Sequence, residues 1–182
     1  ENLVAHAGAG TIGVSGMIGV FRPGLPVDLH IVADKAQPIS SDLLSATIKA
    51  DLKINGQAAS RLDVDGRVII PTATINIPNS MPASVPQLDV VRPGEKRDVE
   101  AASSRVIGLD IDVISPGELF VRGHGLDAEM RGKLHLGGLT SAPAISGGFT
   151  LRRGNFNLAG VNLNFTQGRV SFDGSGVTHK LD

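Results

Sequence analysis

The chain has 182 residues, 17 basic and 18 acidic side chains, and a net charge of −1. It contains no cysteine, tryptophan or tyrosine and six phenylalanines. Balanced charge and scarce rings exclude the basic, aromatic surface that nucleic-acid binding uses; missing thiols exclude cysteine catalysis, disulfides and zinc–thiolate sites.

Apolar residues make up 41% of the chain, and mean hydropathy is slightly positive, at +0.11. No apolar run approaches the 18 or so residues of a transmembrane helix. The chain opens on "ENLVAHAGAG" and stops at "VTHKLD" in mid-pattern. It reads as a piece of a longer protein.

Period two dominates from the start. Ile12, Val14, Gly16, Ile18 and Val20 share one face, then Val27, Leu29, Ile31 and Ala33. Ile48, Ala50, Leu52 and Ile54 alternate with Lys49, Asp51 and Lys53. Apolar and charged residues in strict alternation predict half-buried strands. "SSDLLSATIK" is the one helical candidate, with Ser40 or Ser41 as cap for a turn or two.

Residues 77–105 break the pattern. Pro78, Pro82, Pro86 and Pro93 lie there among clustered charges, and proline cannot donate to a sheet ladder. This predicts a Pro-rich connection over 78–105, mobile over about 94–104, within one repetitive β fragment spanning 1–182.

Alternation then resumes. Leu109, Ile111 and Val113 oppose Asp110 and Asp112. Leu126, Ala128, Met130, Gly132, Leu134 and Leu136 oppose Asp127, Glu129, Arg131, Lys133 and His135. Ile145, Gly147, Phe149 and Leu151 follow, then Phe156 with Leu158, Val161 with Leu163 and Phe165, and Val170 with Phe172. Glycines in "NGQ", "VDGR", "RRGN", "LAGV", "TQGR" and "FDGS" predict tight turns between short strands. A loose internal echo relates "ADLKING…RLDVDGRVIIPTATINI" to "GKLHLGG…AISGGFTLRRGNFNL", about 80 positions on, with a one-residue slip.

A sheet with one apolar face must cover it. A sandwich, a closed barrel and one long curved sheet with an open apolar groove all satisfy the pattern. The many small inward residues, among them Gly16, Ala33, Ala50, Ala128, Gly132 and Gly147, leave room for a groove or for strong curvature. An outer-membrane barrel is disfavoured, because aromatic girdles are absent and most runs are shorter than its strands require.

Reactive constellations are absent. His6, His30, His124, His135 and His179 show no metal-ligand spacing. The pairs Asp63/Asp65 and Asp110/Asp112 lie on the wet side of their strands. "GAGTIG" lacks the helix that a phosphate loop needs, and "GVSGM" has the wrong spacing for a nucleophile elbow. Arg152 and Arg153 read as a solvated turn. No catalytic residue, metal or cofactor is expected.

The ordered set "GAGTIGVSGMIGVFRPGLPVDLHI", "SSDLLSATIKADLKINGQ", "ATINIPNSMPASVPQLDVV", "SPGELFVRGHGLDAEMRGKLHLGG" and "APAISGGFTLRRGNFNLAGVNLNFTQGRVSFDG" resembles the C-terminal domain family of TamB, a subunit of the translocation and assembly module, across the whole chain. The resemblance implies an all-β fold: a long curved antiparallel sheet forming an open trough, or β-taco, with an apolar interior. It implies a non-enzymatic role in the periplasm. The parent protein would be anchored in the inner membrane, reach the outer membrane and meet a TamA-like barrel partner there. The cargo would be phospholipid or unfolded outer-membrane protein. Alternation picks out the expected contact residues in the second half: Leu109, Ile111, Val113, Leu126, Met130, Leu134, Leu136, Phe149, Leu151, Phe156, Leu163, Phe165, Val170 and Phe172. A chaperone scaffold that templates strands, and a closed sandwich that acts as a spacer, are the alternatives.

Overall fold

The computed structural model describes residues 2–78, 106–158 and 160–174. The 94–104 segment expected to be mobile lies outside them. Among the described residues all regular structure is strand. In chain order the strands are β1 (Asn2–Ala7), β2 (Gly10–Ile18), β3 (Pro26–Ser40), β4 (Leu44–Gln57), β5 (Arg61–Asn76), β6 (Val106–Gly123), β7 (Leu126–Leu139), β8 (Ala142–Leu158), β9 (Val161–Phe165) and β10 (Arg169–Asp173). They form one sheet in the order β1-β2-β3-β4-β5-β6-β7-β8-β10, with β9 beside β10 on the same edge of β8. The sheet does not close into a barrel.

Every strand pair is antiparallel except β5 with β6, which pair in parallel; β9 and β10 run on in one direction, both antiparallel to β8. A parallel pair needs a long return connection, and residues 77–105 supply one. The sheet is therefore two antiparallel meanders, β1–β5 and β6–β10, laid side by side.

Several expectations are corrected. "SSDLLSATIK" holds no helix. β3 runs to Ser40, β4 starts at Leu44, and the Ser41 hydroxyl accepts from the Leu44 N–H (3.1 Å) to close a hairpin. A serine that caps a helix caps a hairpin turn by the same hydrogen bond. Val20 also falls outside β2, in the following turn. The strands are longer than the glycines suggested: β3 to β8 each run 14 to 18 residues. Gly160 of "LAGV" lies in a turn, but "TQGR" is a break between β9 and β10, which run on in one direction along β8; Gly66 of "VDGR" and Gly154 of "RRGN" lie within β5 and β8, and Gly56 of "NGQ" within β4.

Gly66 explains why. It faces Leu52 across the ladder with φ +138°, and a Cβ there would collide with the Asp51 carbonyl. Gly147 faces Leu134 in the same way, with φ +109°. These glycines allow close backbone approach inside a sheet.

The two relationships are copies. Ala50↔Val68, Leu52↔Gly66 and Ile54↔Val64 in the β4–β5 hairpin correspond to Gly132↔Phe149, Leu134↔Gly147 and Leu136↔Ile145 in β7–β8. The turn at 58–60 is one residue longer than the turn at 140–141, which accounts for the one-residue slip in the sequence echo.

A band of irregular pairing crosses the sheet. Register shifts occur at Ala33/Ala36 and Ala36/Ile39 in β3, between Ile69 and Ala73 in β5, between Ser115 and Leu119 in β6, and between Leu151 and Arg153 in β8. Pro38, Pro71 and Pro116 fall inside the first three strands' shifts. A proline within a central strand cannot complete the ladder and is accommodated at a bulge. Bulges bend the strand that carries them, so their alignment makes a crease. Burial gathers along it. Ala33, Ala36, Ala50, Ala73, Ala128 and Ser115 on the apolar face beside the band are buried, and so is Glu129 on the polar face. Leu and Ile on the apolar face away from the band stay largely half-buried.

Candidate functional site

Register carries apolar side chains across the whole sheet. One row runs Ala5, Ile12, Ala33, Ala50, Val68, Val113, Leu134, Gly147 and Phe172, from β1 to β10. Its neighbour runs Leu3, Val14, Ile31, Leu52, Gly66, Ile111, Leu136 and Ile145. Beyond the crease a third joins Ile39, Ala46, Ala73, Leu119, Met130 and Leu151.

All fourteen expected contact residues fall on this face by register. Leu109, Ile111, Val113, Leu126, Met130, Leu134, Leu136, Phe149, Leu151 and Phe156 are half-buried; Leu163, Phe165, Val170 and Phe172 are exposed. Phe165, opposite Gly154, also borders a cleft on the other face. The expected set covered only the second meander. Val14, Ile31, Leu52 and their row-mates extend the face through the first, and the same alternation signalled them.

Nothing among the described residues covers the face. Among the described residues no large side chain is fully buried, and the buried apolar residues are Val27 and five alanines. A dense interior between two sheets would enclose leucines and phenylalanines. This argues against the closed sandwich.

The opposite face is a lattice of ion pairs. Lys49 meets Asp34, His30 meets Asp51, Lys133 meets Asp112, and Arg122 meets Asp127. His135 lies between Asp110 (3.8 Å) and Asp112 (3.3 Å). Hydrogen bonds from Lys133 and His135 hold the Asp112 carboxyl below the ordinary carboxylate range. Hydrogen bonding to Arg61 does the same for Asp63. A cleft of about 470 Å³ opens here between Phe120, Arg122, Asp127, Glu129, Arg153, Asn155 and Asn164. Its charges are already mutually paired.

Arg152 and Arg153 are not a turn. Arg152 is the extra residue of the β8 bulge, and both arginines reach Glu129 on β7 at 2.5 Å. Glu129 is only 5% exposed. Burial works against its charge, but the hydrogen bond from Arg153 and the positive charges of both arginines hold its carboxyl below the ordinary range. On β6, Glu118 accepts from the Thr72 hydroxyl of β5 at 2.8 Å. These contacts pin the crease from the polar side. The sequence showed each residue but not the bulge that brings them together.

Among the described residues no group of three or more His, Asp or Glu side chains is placed to hold a metal, and no helix is long and apolar enough to cross a membrane. Among the described residues the arrangement offers an apolar face that nothing covers, and an opposite face on which many charged side chains pair with one another.

No curated protein and no solved structure matches the chain. The family model for the TamB C-terminal domain matches residues 1–182. The chain thus belongs to the TamB C-terminal domain family, non-enzymatic, periplasmic and membrane-associated components of the translocation and assembly module, which serve outer-membrane assembly with TamA-type partners.

Proposed function

We propose that the apolar face curves into a trough and is a conduit section. It holds phospholipid acyl chains, or an apolar strand of an unfolded outer-membrane protein, as the cargo passes between the inner and outer membranes. The observation that carries this reading is the uncovered apolar surface, continuous by register from β1 to β10. Burying each side chain of such a row against cargo is worth roughly 1.5–3 kcal/mol at full burial. A row of them can offset the loss of a lipid's bilayer contacts with no specific chemistry. The cargo path runs across the strands, along the crease. In the parent protein, an inner-membrane anchor and a TamA-like partner would stand at the two ends of the path.

The test is photo-crosslinking in cells from Leu134 and Phe149, with Arg131 on the polar face as control. The expected adducts are lipid or outer-membrane protein at the apolar positions and neither at Arg131. Equal labelling at all three positions would sink the conduit.

Strand addition is the second reading. Among the described residues β1 pairs with β2 alone, so its outer side is a main-chain edge of the kind that templates an incoming strand. Proline substitutions in β1 would disable that activity and leave the conduit working.

A further inference from the structure

The turn between β2 and β3 reads "GVFRPGL", residues 19–25. Phe21 is 100% exposed and Val20 61%, and Ile18 at the strand end is exposed too. The turn is nonetheless built. The Gly19 N–H donates to the Pro26 carbonyl (2.8 Å), Arg22 to Gly19 (3.0 Å) and Leu25 to Arg22 (3.1 Å). The carbonyls of Leu25 and Gly24 accept from Ala58 and Ala59 of the adjacent turn. A rigid turn therefore holds apolar side chains out into water, and exposed apolar patches mark contact surfaces.

Three features choose the occupant. Backbone groups of the turn are bonded within the molecule, so it offers little to an incoming strand. It is a convex tip and not a flat face or a groove, which suits penetration of a fluid layer better than docking on a folded surface. The turns beside it carry little charge, and the nearby Arg61 and Asp63 pair with each other. Residues 19–25, 58–60 and 140–141, the turns at this end of the sheet, contain one base, Arg22, and no acid.

We propose that this tip is a membrane wedge: Val20 and Phe21 insert among the headgroups of an anionic phospholipid bilayer, and Arg22 pairs with lipid phosphate. Apolar and aromatic side chains flanked by a base are what an interfacial anchor needs. The proposal goes beyond the conduit reading and does not depend on what the apolar face carries.

The chain has no tryptophan, so Phe21→Trp makes the tip the sole indole reporter in the full 182-residue chain. With vesicles of phosphatidylethanolamine and phosphatidylglycerol, its emission should shift to the blue. Lipids brominated on the acyl chains should quench it. Binding should weaken about fivefold when Arg22 is changed to Gln, the effect of one base near an anionic surface. A reporter at Arg131→Trp should show neither effect, and Leu134→Asp, which disables the conduit, should leave tip quenching intact. Absence of quenching at the tip, equal quenching at both reporters, or a blue shift that follows protein concentration without vesicles (a second copy covering the tip) would each overturn the proposal.

Discussion

Gly147 faces Leu134 across the β7–β8 ladder just as Gly66 faces Leu52 across β4–β5, each glycine at positive φ and each pressed against its partner strand's carbonyl. The repeat extends to the crease. Thr47↔Thr72 beside Pro71 corresponds to Glu129↔Arg153 beside Arg152. The sheet thus repeats a hairpin unit that carries its own irregularity in register.

Gly66→Ala and Gly147→Ala should each destabilise the protein by more than about 1 kcal/mol, because the added Cβ meets both an unfavourable φ and a neighbouring carbonyl. Gly13→Ala is the control. Its φ is ordinary and the nearest atom to a new Cβ is 3.8 Å away, so stability should stay within about 0.5 kcal/mol. Urea denaturation of the three variants decides this.

Ala36 is 0% exposed and packs at the crease with Ala33 and Ala50. Ala36→Leu should cost about 1–3 kcal/mol through overpacking. A neutral result in the same denaturation experiment would mean that the crease is looser than its burial indicates.

Acid should weaken the fold through Glu129, Asp112 and Asp63, whose carboxyls all lie below the ordinary range in the folded chain. A carboxylate with a depressed folded pKa contributes fully above its unfolded pKa. That contribution is lost as pH falls through the folded value. The melting temperature should therefore be flat near neutrality and drop on the acid side of the ordinary carboxylate range. Glu129→Gln should lower it at neutral pH, by stranding Arg152 and Arg153, and should flatten the acid slope. Melting curves from pH 7 down to pH 3 provide the check.

Leu134→Asp and Phe149→Arg should block transport in cells while the chain stays folded, because both side chains are half-buried on an uncovered face and a charge there keeps access to water. Arg131→Glu on the polar face should leave transport unchanged. Circular dichroism of the purified variants, set beside a cellular readout of outer-membrane assembly, separates lost function from lost fold.

The alternation of Leu109 to Val113, or of Leu126 to Leu136, made strands and their apolar faces legible, because side chains of a strand alternate whatever lies next to it. The crease was less visible, although Pro38, Pro71 and Pro116 inside alternating runs were a usable sign. Glycine misled in both directions. Gly160 marks a turn and Gly66 a close approach within a strand, and local composition is the same for both. Ser41 misled for a similar reason, since one hydroxyl serves a helix start and a hairpin equally well.

By itself, then, the sequence determined the all-β class, the two unlike faces and the hairpin repeat, all of which depend on residue type and short-range spacing. The tertiary structure decided what depends on pairing at a distance. Only strand partners could reveal the parallel junction of β5 with β6, the alignment of separate bulges into one crease, and the grip of Arg152 and Arg153 on Glu129. The half-burial of the apolar side chains was decided there too. Whether Phe149 and Leu134 are covered depends on what lies above the sheet, and alternation along a strand carries no information about that.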